Sequence, residues 1–282
     1  MITCNLMGGL GNQIFQIFTT ISYALRYNIE YKFTDVETLG GGSTTLRKTY
    51  WETFFSKLKS ATTNMFPELM QIKETDFAYN DLNLEQIKEK DILLFGYFQS
   101  DKYFKNEYSD IYELIEMKQI KQRVLQSTDY TSDFLSNAIS MHFRIGDYKK
   151  IQYVHPIMTY EYYEKSLNYI KLKDDYSNIS QILYFCEDVD LQDVNEIIFK
   201  LESKFPNFTF IRCHNKLEDW EQLVIMSLCY HNIIANSSFS WWGAYFNSNE
   251  EKIVCFPSTW FGPTVQHNTK DLCPIEWTKI EC

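Results

Sequence analysis

The stretch SMHFRIGDY, Ser140–Tyr148, ends an apolar run at Phe143 and sets His142, Arg144, Gly146 and Asp147 around the turn that follows. A guanidinium at a strand's carboxyl end can make paired hydrogen bonds to phosphate oxygens, and a glycine beside it lets backbone approach the same anion. Taken alone, the turn reads first as an Arg144–Asp147 ion pair that simply ties it. YFCEDVD, Tyr184–Asp190, repeats the pattern with acids. Glu187 or Asp188 could accept from a base or a ribose, whereas Asp188-Val189-Asp190 also has the form of a metal-holding Asp-x-Asp pair. The plainer reading of Asp190 is that it starts the next helix, where acids are favoured.

In ANSSFSWWGAYF, Ala235–Phe246, the run Asn232–Ala235 stops and Asn236, Ser237, Ser238 and Ser240 lead into a helix. Backbone N–H groups at a helix start carry partial positive charge, and small hydroxyls add donors without blocking approach, so a phosphate fits there. A plain N-cap would need one such residue. Three further groups and Gly243 exceed that need, while Trp241 and Trp242 are expected beneath the turn. GGLGNQ, Gly8–Gln13, is a glycine-rich turn into the first helix. It lacks the Lys-Ser/Thr of a P-loop and the G-x-G-x-x-G spacing. What sets it apart is the amide pair Asn12–Gln13, placed to reach a ligand.

The elements that must position these groups alternate. A strand Ile2–Leu6 precedes helically spaced Ile14, Ile17, Phe18, Ile21 and Leu25, and a second strand is expected at Ile92–Tyr97, followed by a helix reaching Leu125. A flexible loop is expected at Leu39–Thr45. From Ser136 onward the pattern predicts strands at Ala138–Phe143, Gln181–Phe185, Phe208–Ile211, Asn232–Ala235 and Lys252–Phe256. Helices are expected between them at Tyr160–Lys171, Leu191–Lys204 and Leu217–Tyr230. Strands spaced by such helices imply a parallel α/β sheet with right-handed crossovers. Residues 1–133 and 134–282 are expected to form two α/β halves that bind a ligand at the carboxyl ends of their strands.

The 282 residues, 45% of them hydrophobic, are enough for a large core. A net charge of −10 argues against nucleic acid or anionic membranes as partners. The 17% aromatic content suits sugar or base stacking, and equally suits an ordinary core. Seven scattered cysteines without a C-x-x-C pair fit free thiols in a reducing compartment. The start has no signal-peptide pattern, and Ile14–Leu25 is too short and polar to span a bilayer, so a soluble cytoplasmic protein without a transmembrane segment is expected.

In order along the chain, GGLGNQIFQ, GYFQSDKYF (Gly96–Phe104), HFRIGDY, YFCEDVD, LVIMSLCYHNIIANSSFSWWGAYFN and KIVCFPSTWF (Lys252–Phe261) resemble the α-1,2-fucosyltransferases of glycosyltransferase family 11. The similarity runs over essentially the whole chain. It extends more distantly to α-1,6- and protein O-fucosyltransferases. The resemblance implies a GT-B fold of two Rossmann-like domains facing across a cleft. Residues 1–133 would form the acceptor side and 134–282 the nucleotide-sugar side, the last segment packing back on the first domain. It implies metal-independent, inverting transfer of L-fucose from GDP-β-L-fucose to a glycan acceptor, with an α-1,2 linkage to a galactoside 2-OH and no cofactor beyond the donor. His142 and Arg144 would meet the diphosphate, Asp188 the nucleoside, and Ser237, Ser238 and Ser240 the phosphates. Asn12, with Gly9 and Gly11, would lie near the transferred sugar.

Arg144 and the serine turn fit the charge that develops as GDP leaves. Asp147 is the nominee for the base, with a structural carboxylate or no base at all as alternatives. The usual motif reads His-x-Arg-Arg-Gly-Asp-Tyr, and here Ile145 replaces the second arginine. That departure bears on donor choice, and two further readings stay open. One is transfer of another GDP-deoxyhexose, or a metal-dependent transferase using Asp188-Val189-Asp190. The other is a GDP- or carbohydrate-binding protein without catalysis.

Overall fold

Ile139 and Met141 on one strand and Ile182 on its neighbour lie in a single buried cluster with Tyr162, Leu167, Val194 and Leu201 from the helices between strands. In the computed structural model, which describes residues 1–40, 45–173, 179–214 and 216–282, this cluster is the core of the second of two units. That unit comprises Lys121–Gln266 and Ile275–Cys282, and the first comprises Met1–Ile120 and His267–Pro274. The contact division falls inside the helix Met117–Gln126. The loop expected over 39–45 lies, from 41 to 44, outside the described residues.

The second unit has one six-stranded sheet, every neighbouring pair parallel. Its strands in chain order are Ala138–His142, Gln181–Phe185, Thr209–Arg212, His231–Ile233, Val254–Pro257 and Thr278–Ile280. In space they run third, second, first, fourth, fifth, sixth. The strand order therefore reverses between Ala138–His142 and His231–Ile233, and ligands of such sheets sit at the carboxyl ends beside that reversal. The Tyr162 hydroxyl bonds the Ile234 carbonyl at 2.5 Å and the Cys255 carbonyl at 3.1 Å, fixing the helix Tyr160–Lys173 to strand ends inside the core.

In the first unit, Ile2–Cys4, Ile92–Phe95 and Met70–Lys73 form a parallel sheet, with Ile92–Phe95 in the middle. The helix Leu10–Tyr27 buries Gln13, Gln16, Thr19, Thr20 and Ser22 together with its apolar residues. Several of these polar interruptions are bonded inside the fold: Thr20 donates to the Gln16 carbonyl at 2.7 Å and Ser22 to the Tyr103 carbonyl at 2.9 Å. Among the described residues no helix is long and apolar enough to cross a membrane.

Two expectations change. The helix expected to reach Leu125 is two, Tyr108–Leu114 and Met117–Gln126, broken where Glu116 takes a left-handed φ of 54°. The helix expected over Leu217–Tyr230 is confined to Asp219–Met226, where Glu218 and Glu221 form a capping box. The strands Met70–Lys73 and Thr278–Ile280 were not foreseen. Each lies at a sheet edge, and Met70–Lys73 is largely exposed, so neither carries an apolar run.

Candidate functional site

Because its sheet is parallel, the second unit gathers Arg144, Glu187, Asp188, Arg212 and the serine turn at one edge, each at or just past the end of a strand. Arg144 is 17% exposed. It donates to Glu187 at 2.7 Å and to Asp147, and its guanidinium lies 4.7 Å over the Tyr148 ring. The ion pair read in the turn is thus present, with a second carboxylate and an aromatic face holding the same group. Gly146 has φ +30°, and a Cβ there would come within 3.0 Å of Arg144 Nη1, so this glycine makes room for the guanidinium. Ile145, only 4% exposed, belongs to the core cluster and sends nothing to this edge.

Asp190 is buried at the N-cap position of the helix Leu191–Lys204, yet its side chain makes no cap bond. It accepts the Gly146 N–H at 2.7 Å instead. Asp190 thus starts the helix as expected, while its side chain fixes the arginine turn. Asp188 pairs with Arg212. The two carboxylates of Asp188-Val189-Asp190 therefore serve separate partners. Among the described residues no group of three His, Cys, Asp or Glu is gathered as a metal ion would require.

Ser237 is the N-cap of the helix Ser238–Tyr245 and accepts the Phe239 N–H at 3.3 Å. Ser238 stands at the first helical position and is half-buried. Ser240 is buried and donates to the Ser237 carbonyl at 3.4 Å, beneath the turn. Asn236 does not cap the helix. Its amide donates to the carbonyls of Pro156 at 2.9 Å and Trp260 at 3.1 Å, holding two loops in place. Tyr148 joins the arginine and serine turns by donating to the Asn236 carbonyl at 3.2 Å. Trp241 and Trp242 are fully buried below, as expected. Gly243 is a packing glycine: a Cβ there would come within 2.8 Å of Met226 Cβ. At the far end of this helix Lys121 donates to the Phe246 carbonyl at 2.5 Å and Lys252 to the Ala244 carbonyl at 3.1 Å. Burial pushes both ammonium groups down to about 8.

His142 ends its strand in the core, its ring 5.5 Å from that of Phe239. Burial, and secondarily the charge of Arg144, pushes its imidazole down to about 3, so it is neutral at ordinary pH. Its Nδ1 is buried with no hydrogen-bond partner among the described residues.

In the first unit the matching edge carries amides. Asn12 accepts from Gln99 Nε2 at 2.8 Å. Gln13 is buried and donates to the carbonyls of Gly8 at 3.0 Å and Lys48 at 2.9 Å, so it braces the glycine turn and does not reach outward as expected. Gln16 accepts the Met7 N–H and donates to Gly96, both at 3.0 Å. Gly9 is the helix N-cap, a Cβ there would meet nothing within 4 Å, and Gly11 is buried in the first turn. Glu74 accepts the N–H groups of Tyr97 at 2.7 Å and Phe98 at 3.0 Å, holding Phe98 at φ 53° and so the turn that presents Gln99. Burial, the larger effect against those two bonds, pushes the Glu74 carboxyl up to about 6.

Gln99, Arg212 and Tyr148 thus join the nominated residues. For Arg212 a signal existed, since it directly follows the expected strand Phe208–Ile211. For Glu74 there was none, because its strand was not foreseen.

Residues 1–281 match the model of glycosyl transferase family 11, and the chain belongs to that family. It is a glycosyltransferase. An alpha-1,2-colitosyltransferase of Escherichia coli is 26% identical over 299 residues, covering 100% of this chain and 99% of that protein. The O-antigen biosynthesis glycosyltransferase WbnK of Escherichia coli is 30% identical over 196 residues, covering 66% of this chain and 60% of that protein. Among solved structures, an Arabidopsis thaliana FUT1 mutant in complex with GDP matches with TM-score 0.50 at 10% identity, covering 90% of this chain and 70% of that one. The fold is that of the GT-B glycosyltransferases.

Proposed function

We propose that this chain transfers L-fucose from GDP-β-L-fucose to a glycan hydroxyl, a galactoside 2-OH, with inversion to an α-1,2 linkage and without a metal cofactor. The observation that carries the reading is Arg144, held between Asp147 and Glu187 at the strand-order reversal and tied through Tyr148 to the serine turn. As the sugar–phosphate bond breaks, negative charge grows on the β-phosphate, and preorganised donors that strengthen with it lower the barrier. Arg144 supplies the cation. The start of the helix Ser238–Tyr245, with Ser237 and Ser238, supplies further donors. Neutral His142 supplies one ring nitrogen without adding charge, and Asp188 accepts from the nucleoside. Ser240 acts from beneath by holding the Ser237 carbonyl.

Asn12, held by Gln99, contacts the transferred sugar, and Gly9 and Gly11 keep the backbone around it open. Asp147 is engaged by Arg144, so it orients the guanidinium. A strongly dissociative displacement, with the acceptor proton leaving late, needs no separate base.

The full-length likeness to an enzyme named a colitosyltransferase favours a second reading, in which the donor is another GDP-deoxyhexose. The test is turnover of GDP-fucose, GDP-colitose, GDP-mannose, GDP-rhamnose and UDP-sugars, with lactose or N-acetyllactosamine as acceptor and EDTA present. Released nucleotide and product mass are followed. A product heavier by one fucosyl residue is expected. Turnover of GDP-colitose alone would install the second reading, and activity that EDTA abolishes would end the metal-free mechanism.

A further inference from the structure

Two guanidiniums stand at the edge just described, and they come from different strands. Arg144 follows the first strand and bonds Glu187, while Arg212 is the last residue of the third strand and bonds Asp188. Glu187 and Asp188 are consecutive, directly past the second strand, which lies between the other two. The result is a row of charges across three neighbouring strand ends, two adjacent acids, Glu187 and Asp188, flanked by Arg144 and Arg212. Arg212 is well placed to hold its partner. Its side chain is 23% exposed against 61% for Asp188, so the cation is anchored and the acid stands outward. Arg212 Nε is buried and has no hydrogen-bond partner among the described residues.

A carboxylate fixed in this way suits one base above the others. Guanine offers two adjacent N–H donors, at N1 and at the exocyclic 2-amino group, which a correctly turned carboxylate accepts together. Adenine offers no such pair. An acid free to rotate would lose this selectivity before it lost charge attraction.

We propose that Arg212 is the positioning residue for Asp188 and thereby sets the preference of this chain for a guanine nucleotide, an inference that rests on the GDP-sugar reading above. Arg212 touches no reacting atom. It acts on how the donor is bound and on which base is accepted.

The experiment is calorimetric titration of the full chain with GDP and with inosine diphosphate, which lacks the 2-amino group. Wild-type protein is expected to favour GDP by roughly tenfold or more, the loss typical of an unmade hydrogen bond to a charged acceptor. Arg212→Ala should weaken GDP by about tenfold and inosine diphosphate much less, bringing the ratio toward one. Arg212→Lys, which keeps the charge without the planar fork, should restore part of the ratio. Arg212→Gln, with the fold checked by circular dichroism, guards against a misfolded alanine variant.

An Arg212→Ala or Arg212→Gln protein that is folded and keeps the wild-type ratio overturns the proposal. So does one that loses both nucleotides equally, or a wild type that binds both alike. Wild-type protein that binds neither nucleotide overturns the donor reading, and this inference with it.

Discussion

At the carboxyl ends of its strands the first unit presents carboxamides, and the second presents guanidiniums and carboxylates. Asn12, Gln13, Gln16 and Gln99 are neutral, and all four bond backbone or one another within the glycine and Gly96–Gln99 turns. Arg144, Glu187, Asp188 and Arg212 form ion pairs that a ligand can compete for or share. The difference fits the two tasks proposed above. A leaving diphosphate needs fixed positive charge, whereas a neutral sugar needs directional donors and acceptors that hold no net field. The loads differ as well. The charged edge is anchored by a buried acid, Asp190, beneath the arginine turn. The amide edge is anchored by Glu74 under a left-handed Phe98.

If the charged edge carries the chemistry, Arg144→Ala should lower kcat/KM by ~10²-fold or more, as removal of one charge-stabilising group does. Its melting temperature should move by only a few degrees, because the pairs it loses have exposed partners. Asn12→Ala should cost about tenfold, the scale of a neutral hydrogen bond. Equal losses from the two would erase the contrast between the edges.

Glycines give a finer comparison. A Cβ on Gly146 would press on Arg144, and one on Gly8, at φ +78°, would overlap the Asn12 amide. Each alanine substitution should destabilise by about 1–2 kcal/mol from the left-handed backbone alone. The Gly146→Ala enzyme should lose more turnover than the Gly8→Ala enzyme, because a displaced cation weakens transition-state charge stabilisation directly. Steady-state rates beside urea melts would rank them.

A last comparison is in pH. Glu74 has its folded value raised to about 6, so between its ordinary value and 6 the folded chain holds the extra proton. Its contribution to stability therefore falls as pH rises through that window. His142 is lowered to about 3, so between 3 and its ordinary value the unfolded chain holds the extra proton. Its contribution rises with pH over that range and is complete above it. Glu74→Gln should remove the falling slope and His142→Gln the rising one, read from urea denaturation between pH 4 and 7. An unaltered slope in either variant would mean that its residue is not held in the buried state described.

Much of this was legible because it follows from local pattern. Gln181–Phe185 and Leu191–Lys204 were foreseen to the residue, since a continuous apolar run and a helical period leave little choice. The serine turn was legible because so many small polar groups exceed what a helix start needs. The edge strand Met70–Lys73 was not, because it is largely exposed and reads as loop, whereas the edge strands Ile2–Cys4 and Thr209–Arg212 carry apolar runs and were. The partners of the charged groups were not legible either: Arg144 could be matched to Asp147 three residues on, but not to Glu187, 43 residues away.

By itself, then, the sequence determined the α/β alternation and the position of each polar turn behind its strand, since both are written in spacing along one dimension, and its motifs carried the resemblance to its family. Only the tertiary structure decided that Asp190 braces Gly146, that Arg212 takes Asp188 and that Gln99 holds Asn12. Those pairings depend on which strands lie side by side. In a parallel sheet that order is set by crossovers dozens of residues long, whose packing no local pattern records.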